Sequence, residues 1–220
     1  MKPLSKRLRA VLAHLGGTRV LYDVGTDHAY LPIAAVRKKG VESVIAVDNK
    51  PGPLSIAQKN VRDAGLEDKI TLKLTEGLDS MSETVDTLTI AGLGGHTAAR
   101  VVREGDIENT VRLIFQPNDH AEAVRALCDG SDLAIVDETF VIERNRLYVI
   151  IVMERGTMTL TERERVFGPV LLRKRDEAYM TYLESQRERL INTLQDIPDK
   201  ETTALNEKLA MLEAILNERK

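Results

Sequence analysis

A run of fifteen residues, Val20 to Ala34 (VLYDVGTDHAYLPIA), constrains this chain more than any other stretch. Val20, Leu21 and Val24 are strand formers, Gly25 permits a bend that a Cβ would obstruct, and Pro32 suits the first turn of a helix. The run therefore reads as a buried strand, a tight turn and a helix start, the junction at which an open α/β sheet holds its ligand. The turn is also crowded with polar groups: Asp23, Thr26, Asp27, His28 and Tyr30. Two carboxylates and an imidazole so close together are poorly explained by packing, which favours small, inert turn residues.

The rest of the chain repeats the pattern. Leu4, Leu8, Val11, Leu12 and Leu15 form one helical stripe, and Gly16-Gly17 stops it. After the opening strand come a helix over Pro32–Lys39, a strand over Val44–Asp48, a helix over Leu54–Ala64 ended by Gly65, and a strand over Ile70–Leu74. A strand over Thr87–Ala91, a helix over Gly95–Glu104, a strand over Arg112–Phe115 and a helix over His120–Cys128 follow. The runs Leu133–Ile142 and Leu147–Met153 are separated only by Glu143-Arg144-Asn145-Arg146, so they must pair antiparallel. This alternation predicts an α/β fold with a mostly parallel, doubly wound sheet and an antiparallel pair at one edge. It resembles the seven-stranded Rossmann-like methyltransferase fold. Two domains are expected, residues 1–158 and a helical hairpin over 159–220. In the second, Tyr179, Leu183, Leu190, Leu194 and Ile197 recur at coiled-coil spacing, Pro198-Asp199 breaks the helix, and Leu205, Leu209, Leu212 and Leu216 resume it.

Composition narrows the function classes. The 220 residues are 43% hydrophobic and 30% charged with a formal net charge of −3, so any nucleic-acid binding must come from local basic patches. The solitary Cys128 has no partner for an internal disulfide and reads as a small buried apolar residue. Charges at Lys2, Lys6, Arg7 and Arg9 interrupt any signal-peptide core, and no apolar run approaches membrane-spanning length. A cytoplasmic protein with no membrane association is expected. The four histidines lie far apart without metal-ligand spacing, so no metal is expected either.

The chemistry concentrates at predicted strand ends. Asp48 stands 23 residues beyond Gly25, close to the offset at which a carboxylate meets ribose hydroxyls; the alternative is that it caps the turn with Asn49. Gly25 stands alone, without the G-x-G-x-x-G spacing that lets backbone amides approach a pyrophosphate. This favours S-adenosyl-L-methionine, which has no phosphate and carries a cationic ammonium and sulfonium, over a dinucleotide. Asp23 is placed to receive that ammonium. Glu76 and Gly77 could face an adenine edge or simply cap a helix. Ala91-Gly92-Leu93-Gly94-Gly95 offers backbone with little side-chain bulk for a flat substrate, and lacks the Lys-Ser/Thr pair of a P-loop. Gln116-Pro117-Asn118 offers amides suited to a base edge, with Asn118 as a helix cap the equal alternative.

Together these pieces resemble one family, the bacterial tRNA (adenine(22)-N(1))-methyltransferases. The matching motifs are DVGTDHAYLP (Asp23 to Pro32), Asp48 with Gly52-Pro53, EGL (Glu76 to Leu78), TIAGLGG (Thr89 to Gly95), LIFQPN (Leu113 to Asn118) and Phe167-Gly168-Pro169 before a helical tail. Relative to the family pattern, Leu93 stands for Met, Glu76 for Asp and Asp48 for Glu, exchanges that keep apolarity or charge. The resemblance implies methyl transfer from S-adenosyl-L-methionine to N1 of adenine 22 of tRNA. It implies Asp27, His28 and Tyr30 as catalytic residues, with Asp27 stabilising charge on the adenine or accepting a proton. Asp23, Gly25, Asp48, Asn49, Glu76, Gly77, Ala91 and Gly92 would bind the cofactor; Gly94, Gly95, Gln116, Pro117, Asn118 and Arg100 would bind substrate. Lys6, Arg7, Arg9, Arg100, Arg103 and Arg173 to Arg175 are candidate phosphate contacts. A monomer is expected, with self-association through the hairpin left open. A dinucleotide-dependent oxidoreductase and an RNA-binding protein without turnover are the competing readings.

Overall fold

Strand β1 (Val20–Val24) is buried along almost its whole length because it lies near the middle of a seven-stranded sheet. The fold is seen in a computed structural model that describes residues 3–79, 81, 84–144, 146–196 and 202–218. The first sheet strands are β2 (Ser43–Asp48), β3 (Ile70–Leu74), β4 (Val85–Ala91) and β5 (Thr110–Gln116), and the last two are β6 (Leu133–Glu143) and β7 (Arg146–Arg155). Their order across the sheet is β3-β2-β1-β4-β5-β7-β6. β1 to β5 run parallel, while β7 is antiparallel to both β5 and β6, as the short link between the last two strands demands.

The chain moves outward from β1 to β2 and β3, then returns to the other side of β1 for β4 and β5. The strand order thus reverses between β1 and β4, and loops leaving their carboxyl ends diverge there to leave a crevice. Helices α1 (Lys6–Ala13), α2 (Tyr30–Lys39), α3 (Pro51–Ala64), α4 (Gly95–Glu104) and α5 (Ala121–Arg125) accompany the sheet. The expected stripe is buried, though Leu4 and Leu15 flank α1 rather than lie on it: Leu4, Val11, Leu12 and Leu15 belong to one cluster with Leu21, Leu31, Ile33 and Ile114, and Leu8 packs against it partly buried. Ser5 caps this helix, its hydroxyl accepting from Leu8 N–H.

Helix α3 starts at Pro51, earlier than the expected Leu54, because prolines in a first turn sacrifice no intrahelical hydrogen bond. Strands β4 and β5 each begin two residues earlier than expected. The predicted helix over His120–Cys128 is shorter than expected: His120 is left-handed (φ 46°), α5 ends at Arg125 and a 3₁₀ turn covers Ala126–Cys128. Cys128 is buried, and burial pushes its thiol up to about 11, which leaves it inert as a nucleophile.

The chain divides into two units, residues 1–160 and 161–220. The second opens with two short helices that the hairpin reading did not anticipate. α6 (Glu162–Phe167) carries a reciprocal capping box between Thr161 and Glu164, and α7 (Pro169–Lys174) restarts after Gly168 at φ 90°. α8 (Glu177–Asp196) and α9 (Thr203–Asn217) then pack on each other, with Tyr179, Leu183, Leu212 and Ile215 buried. Lys2, Asn145, Ile197 and the Pro198-Asp199 break lie outside the described residues. Among the described residues no helix is long and apolar enough to cross a membrane, and no group of three or more His, Cys, Asp or Glu is placed to hold a metal ion.

Candidate functional site

The loop after β1 alternates three left-handed residues, Gly25 (φ 71°), Asp27 (φ 53°) and Ala29 (φ 57°). For the two that carry a Cβ this backbone costs roughly 1 kcal/mol each, and it persists only where surrounding contacts over-determine it. Those contacts come from β2. Gly25 and Thr26 N–H both donate to the Val47 carbonyl at 2.9 Å, and Asp27 N–H donates to Asp48 Oδ2 at 3.0 Å. Lys50 N–H donates to the other oxygen, Oδ1, at 2.9 Å. Asp48 is therefore the brace of the strained loop as well as an acid at a strand end. Each of its carboxylate oxygens retains a further lone pair.

Sheet register buries Asp23. It lies opposite Ala46 on β2 and Thr89 on β4, with 3% of its surface exposed. The Thr89 hydroxyl donates to Asp23 Oδ1 at 2.5 Å. Burial raises the Asp23 carboxyl to about 6; the Thr89 hydrogen bond works against that rise, and the nearby Asp48 charge adds to it. A carboxylate so expensive to ionise alone is a strong acceptor for a cation placed beside it.

Asp27, in contrast, keeps its side chain 67% exposed, and His28 Nδ1 lies 3.5 Å from its Oδ1. The His28 ring meets Tyr30 edge-on, with centroids 5.7 Å apart and planes at 87°, while the His28 carbonyl accepts from Asn60 Nδ2. The acid, the imidazole and the phenol thus form one braced unit on the loop.

The glycines after β4 have a reason the sequence did not reveal. A Cβ on Gly95 would sit 2.0 Å from the His120 carbonyl oxygen and 2.7 Å from that of Asp119, and one on Gly94 would meet Asp119 Oδ1 at 3.1 Å. These two residues let the loop press against the segment after β5. Gly92, at φ 82°, reaches the cleft, and its N–H donates to the Gln116 carbonyl.

Asn118 is not the cap of the helix that follows. Its Nδ2 donates to the Gly92 carbonyl at 2.5 Å and its N–H to the Leu93 carbonyl at 2.8 Å, while its Oδ1 accepts from Arg7 Nη1 at 2.9 Å. The residue at the N-cap of α5 is His120, whose ring makes no capping bond to the helix backbone and instead meets Glu122 Oε1 at 2.9 Å. Gln116 differs: it is fully buried, its Nε2 donates to the Pro117 carbonyl, and its Oε1 has no hydrogen-bond partner. An unpaired buried acceptor lining a cleft calls for a donor from outside the protein.

The strand ends enclose a cleft of about 300 Å³. Of the residues expected from sequence, it brings together Asp23, Gly25, Asp27, Tyr30, Asp48, Asn49, Ala91, Gly92 and Gln116. His28, Gly94, Gly95, Pro117 and Asn118 are not among its lining residues. Glu76, Gly77 and Arg100 line a separate depression of about 240 Å³, where Arg100 reaches Glu104 at 3.0 Å and Glu76 at 3.5 Å. Arg100 thus stands with the expected cofactor residues Glu76 and Gly77 and apart from Gln116. The cleft also takes in Thr26, Leu31, Lys50, Pro53, Leu93 and, from α1, Leu8 and Arg7. Thr26 and Leu93 belong to motifs already singled out. Nothing local in the sequence marks Leu8 as cleft-lining, because its place depends on how α1 packs on the sheet.

The family model described as tRNA (adenine(22)-N(1))-methyltransferase matches residues 21–218. The tRNA (adenine(22)-N(1))-methyltransferase of Bacillus subtilis is 35% identical over 156 residues, 70% of this chain and 66% of that relative's own length. Streptococcus pneumoniae Sp1610, solved in complex with S-adenosyl-L-methionine, superposes with a TM-score of 0.89 at 33% identity, covering 98% of this chain and 100% of that one. M. capricolum TrmK, solved with S-adenosyl-homocysteine, gives a TM-score of 0.87 at 27% identity over 97% and 98% of the two chains.

Proposed function

This chain belongs to the tRNA (adenine(22)-N(1))-methyltransferase family, and from that membership and the acid-lined cleft we propose that it methylates N1 of adenine 22 in tRNA. The observation that carries the reading is the buried Asp23 carboxylate beside Asp48 at the ends of adjacent strands, under a turn with a single glycine. S-adenosyl-L-methionine, when bound, supplies the electrophilic methyl group. The residues present fit it: the cleft is at the lower end of the size range of small-molecule sites, and its deepest polar groups are anionic, matching a cationic donor.

In this reading Asp23 receives the donor's ammonium, and the free lone pairs of Asp48 receive ribose hydroxyls. Gly25, Ala91 and Gly92 supply backbone surface, with Asn49 at the rim and Glu76 and Gly77 at the adenine end. The adenine N1 already holds a lone pair, so no base is needed to create the nucleophile. What the protein must supply is alignment and a home for positive charge on the product ring. Asp27 is the catalytic carboxylate, stabilising that charge or taking a proton from the exocyclic amine. Its present exposure weakens its field, and a base stacked over the loop would strengthen it by displacing water. His28 positions Asp27, and Tyr30 supports both. Gln116 Oε1, the unpaired acceptor, accepts a hydrogen bond from an N–H of the target base.

A tRNA substrate implies a cytoplasmic location, and residues 1–160 carry the whole cleft as the catalytic domain. The test is mass spectrometry of tRNA nucleosides after incubation with the protein and S-adenosyl-L-methionine. New 1-methyladenosine confined to tRNAs with adenine at position 22 is expected. Its absence with confirmed cofactor binding would end the reading.

A further inference from the structure

At the mouth of the cleft, α1 and β7 bring two arginines over one aromatic ring. The guanidinium carbons of Arg7 and Arg146 stand 5.3 and 5.5 Å from the centroid of Tyr148. Arg146 and Tyr148 are two apart on β7 and so share a face of the sheet. Both arginines are tied to the same residue: Arg7 Nη1 donates to Asn118 Oδ1 at 2.9 Å, and Arg146 Nη2 to the Asn118 carbonyl at 2.6 Å. The bond from Asn118 Nδ2 to the Gly92 carbonyl connects this cluster to the cleft wall.

The charges of the cluster do not balance. Glu143 lies 3.8 Å from Arg7 Nε and also accepts from the Lys6 backbone N–H. Among the described residues Arg146 meets no carboxylate, and its hydrogen-bond acceptor is a neutral carbonyl. Lys6 and Arg144 are exposed nearby in sequence, Lys6 placing its ammonium 3.5 Å from the Ile142 carbonyl. Two guanidiniums gathered on one ring, with a single carboxylate that pairs with Arg7 alone and several N–H donors still open, make an anion site on a chain whose net charge is −3. Because Arg7 also lines the cleft, the anion would sit next to the reacting base.

We propose that Arg7, Tyr148 and Arg146 form the seat for the tRNA backbone phosphate flanking the target adenosine, with Asn118 linking the seat to the glycine loop. The inference rests on the reading of the cleft as a tRNA-methylating site. A phosphate bound here holds the extruded nucleotide by its backbone while the base enters the cleft, and Tyr148 keeps the two guanidiniums in register.

The experiment measures tRNA binding by the full chain across a salt series for wild type, Arg146→Gln, Arg146→Lys and Tyr148→Leu, with cofactor affinity by calorimetry as a fold control. Arg146→Gln is expected to raise the tRNA Kd about five- to tenfold and to reduce the slope of log Kd against log salt by about 0.7 to 1, the loss of one phosphate contact. Arg146→Lys restores the slope because it keeps the charge. Tyr148→Leu weakens tRNA binding by a few-fold while keeping the slope. Cofactor affinity stays within twofold throughout. An unchanged slope in Arg146→Gln, with wild-type methylation of tRNA intact, overturns the seat alone; a wild-type protein that does not methylate tRNA overturns the functional reading beneath it.

Discussion

Protonation of Asp23 should govern cofactor binding between pH 5 and pH 7. The carboxyl is raised from 3.8 to about 6, chiefly by burial, a differential of roughly 3 kcal/mol between its charged and neutral forms. If Asp23 receives the donor's ammonium, the complex needs it ionised, and a proton must leave whenever the free protein holds one. For a group titrating at about 6, this competition weakens binding by about 11-fold at pH 5 and about 1.1-fold at pH 7, so the Kd rises roughly tenfold between them. Proton release follows the same curve, about 0.9 per site at pH 5 and about 0.1 at pH 7. Titration calorimetry in two buffers of different ionisation enthalpy measures both quantities. Asp23→Asn should bind weakly and without this dependence. For the unliganded protein the sign is set by a native carboxyl that binds protons more tightly than the unfolded one. Its contribution to stability therefore falls as pH rises from about 4 through 6, and Asp23→Asn should gain stability relative to wild type across that window. A flat Kd with no proton release, or an Asp23→Asn protein that binds cofactor normally, would refute the assignment.

Other consequences are equally concrete. Asp27→Asn preserves the left-handed backbone and the N–H donated to Asp48, so cofactor affinity should hold while kcat for tRNA methylation falls about 100-fold; retention of wild-type kcat would remove Asp27 from the chemistry. Gly95→Ala should destabilise by 2 kcal/mol or more, on the order seen for overpacked sites, because the new methyl meets immovable backbone; Gly16→Ala, with open space around it, should be near neutral, and urea titration compares the two. Breaking the buried pair between Arg125 and Glu138, 2.7 Å apart with side chains 2% and 0% exposed, by Arg125→Met should cost about 3 to 5 kcal/mol and show little salt dependence in the same titration.

What the sequence made legible was local. Strand periodicity, the helix stop at Gly65, and the short link between β6 and β7 each depend on residues within a few positions, so the element order and the antiparallel edge could be read directly, whereas the first helix ends at Ala13, ahead of the expected stop at Gly16-Gly17. The strand-end acids were legible for the same reason: a glycine that must turn places Asp23 just before it and Asp27 just after. Where local rules predicted less well, in the first turn of α3 and the short α5, a boundary depended on proline chemistry or on a left-handed His120 held by its surroundings.

The chain by itself determined which groups stand at the ends of which strands, because backbone sterics and hydrophobic spacing act over short range. Only the tertiary structure decided how those groups meet. Asp23 acquires its raised pKa from burial that exists only once β1 lies between β2 and β4, and the Thr89 hydroxyl, 66 residues away, holds that rise in check. Asn118 becomes a junction for Arg7, 111 residues distant, and Gly94 and Gly95 become packing glycines against Asp119 and His120. Such pairings are set by strand register and helix docking, which no local stretch encodes, and they decide which polar groups are left open in the cleft for a ligand.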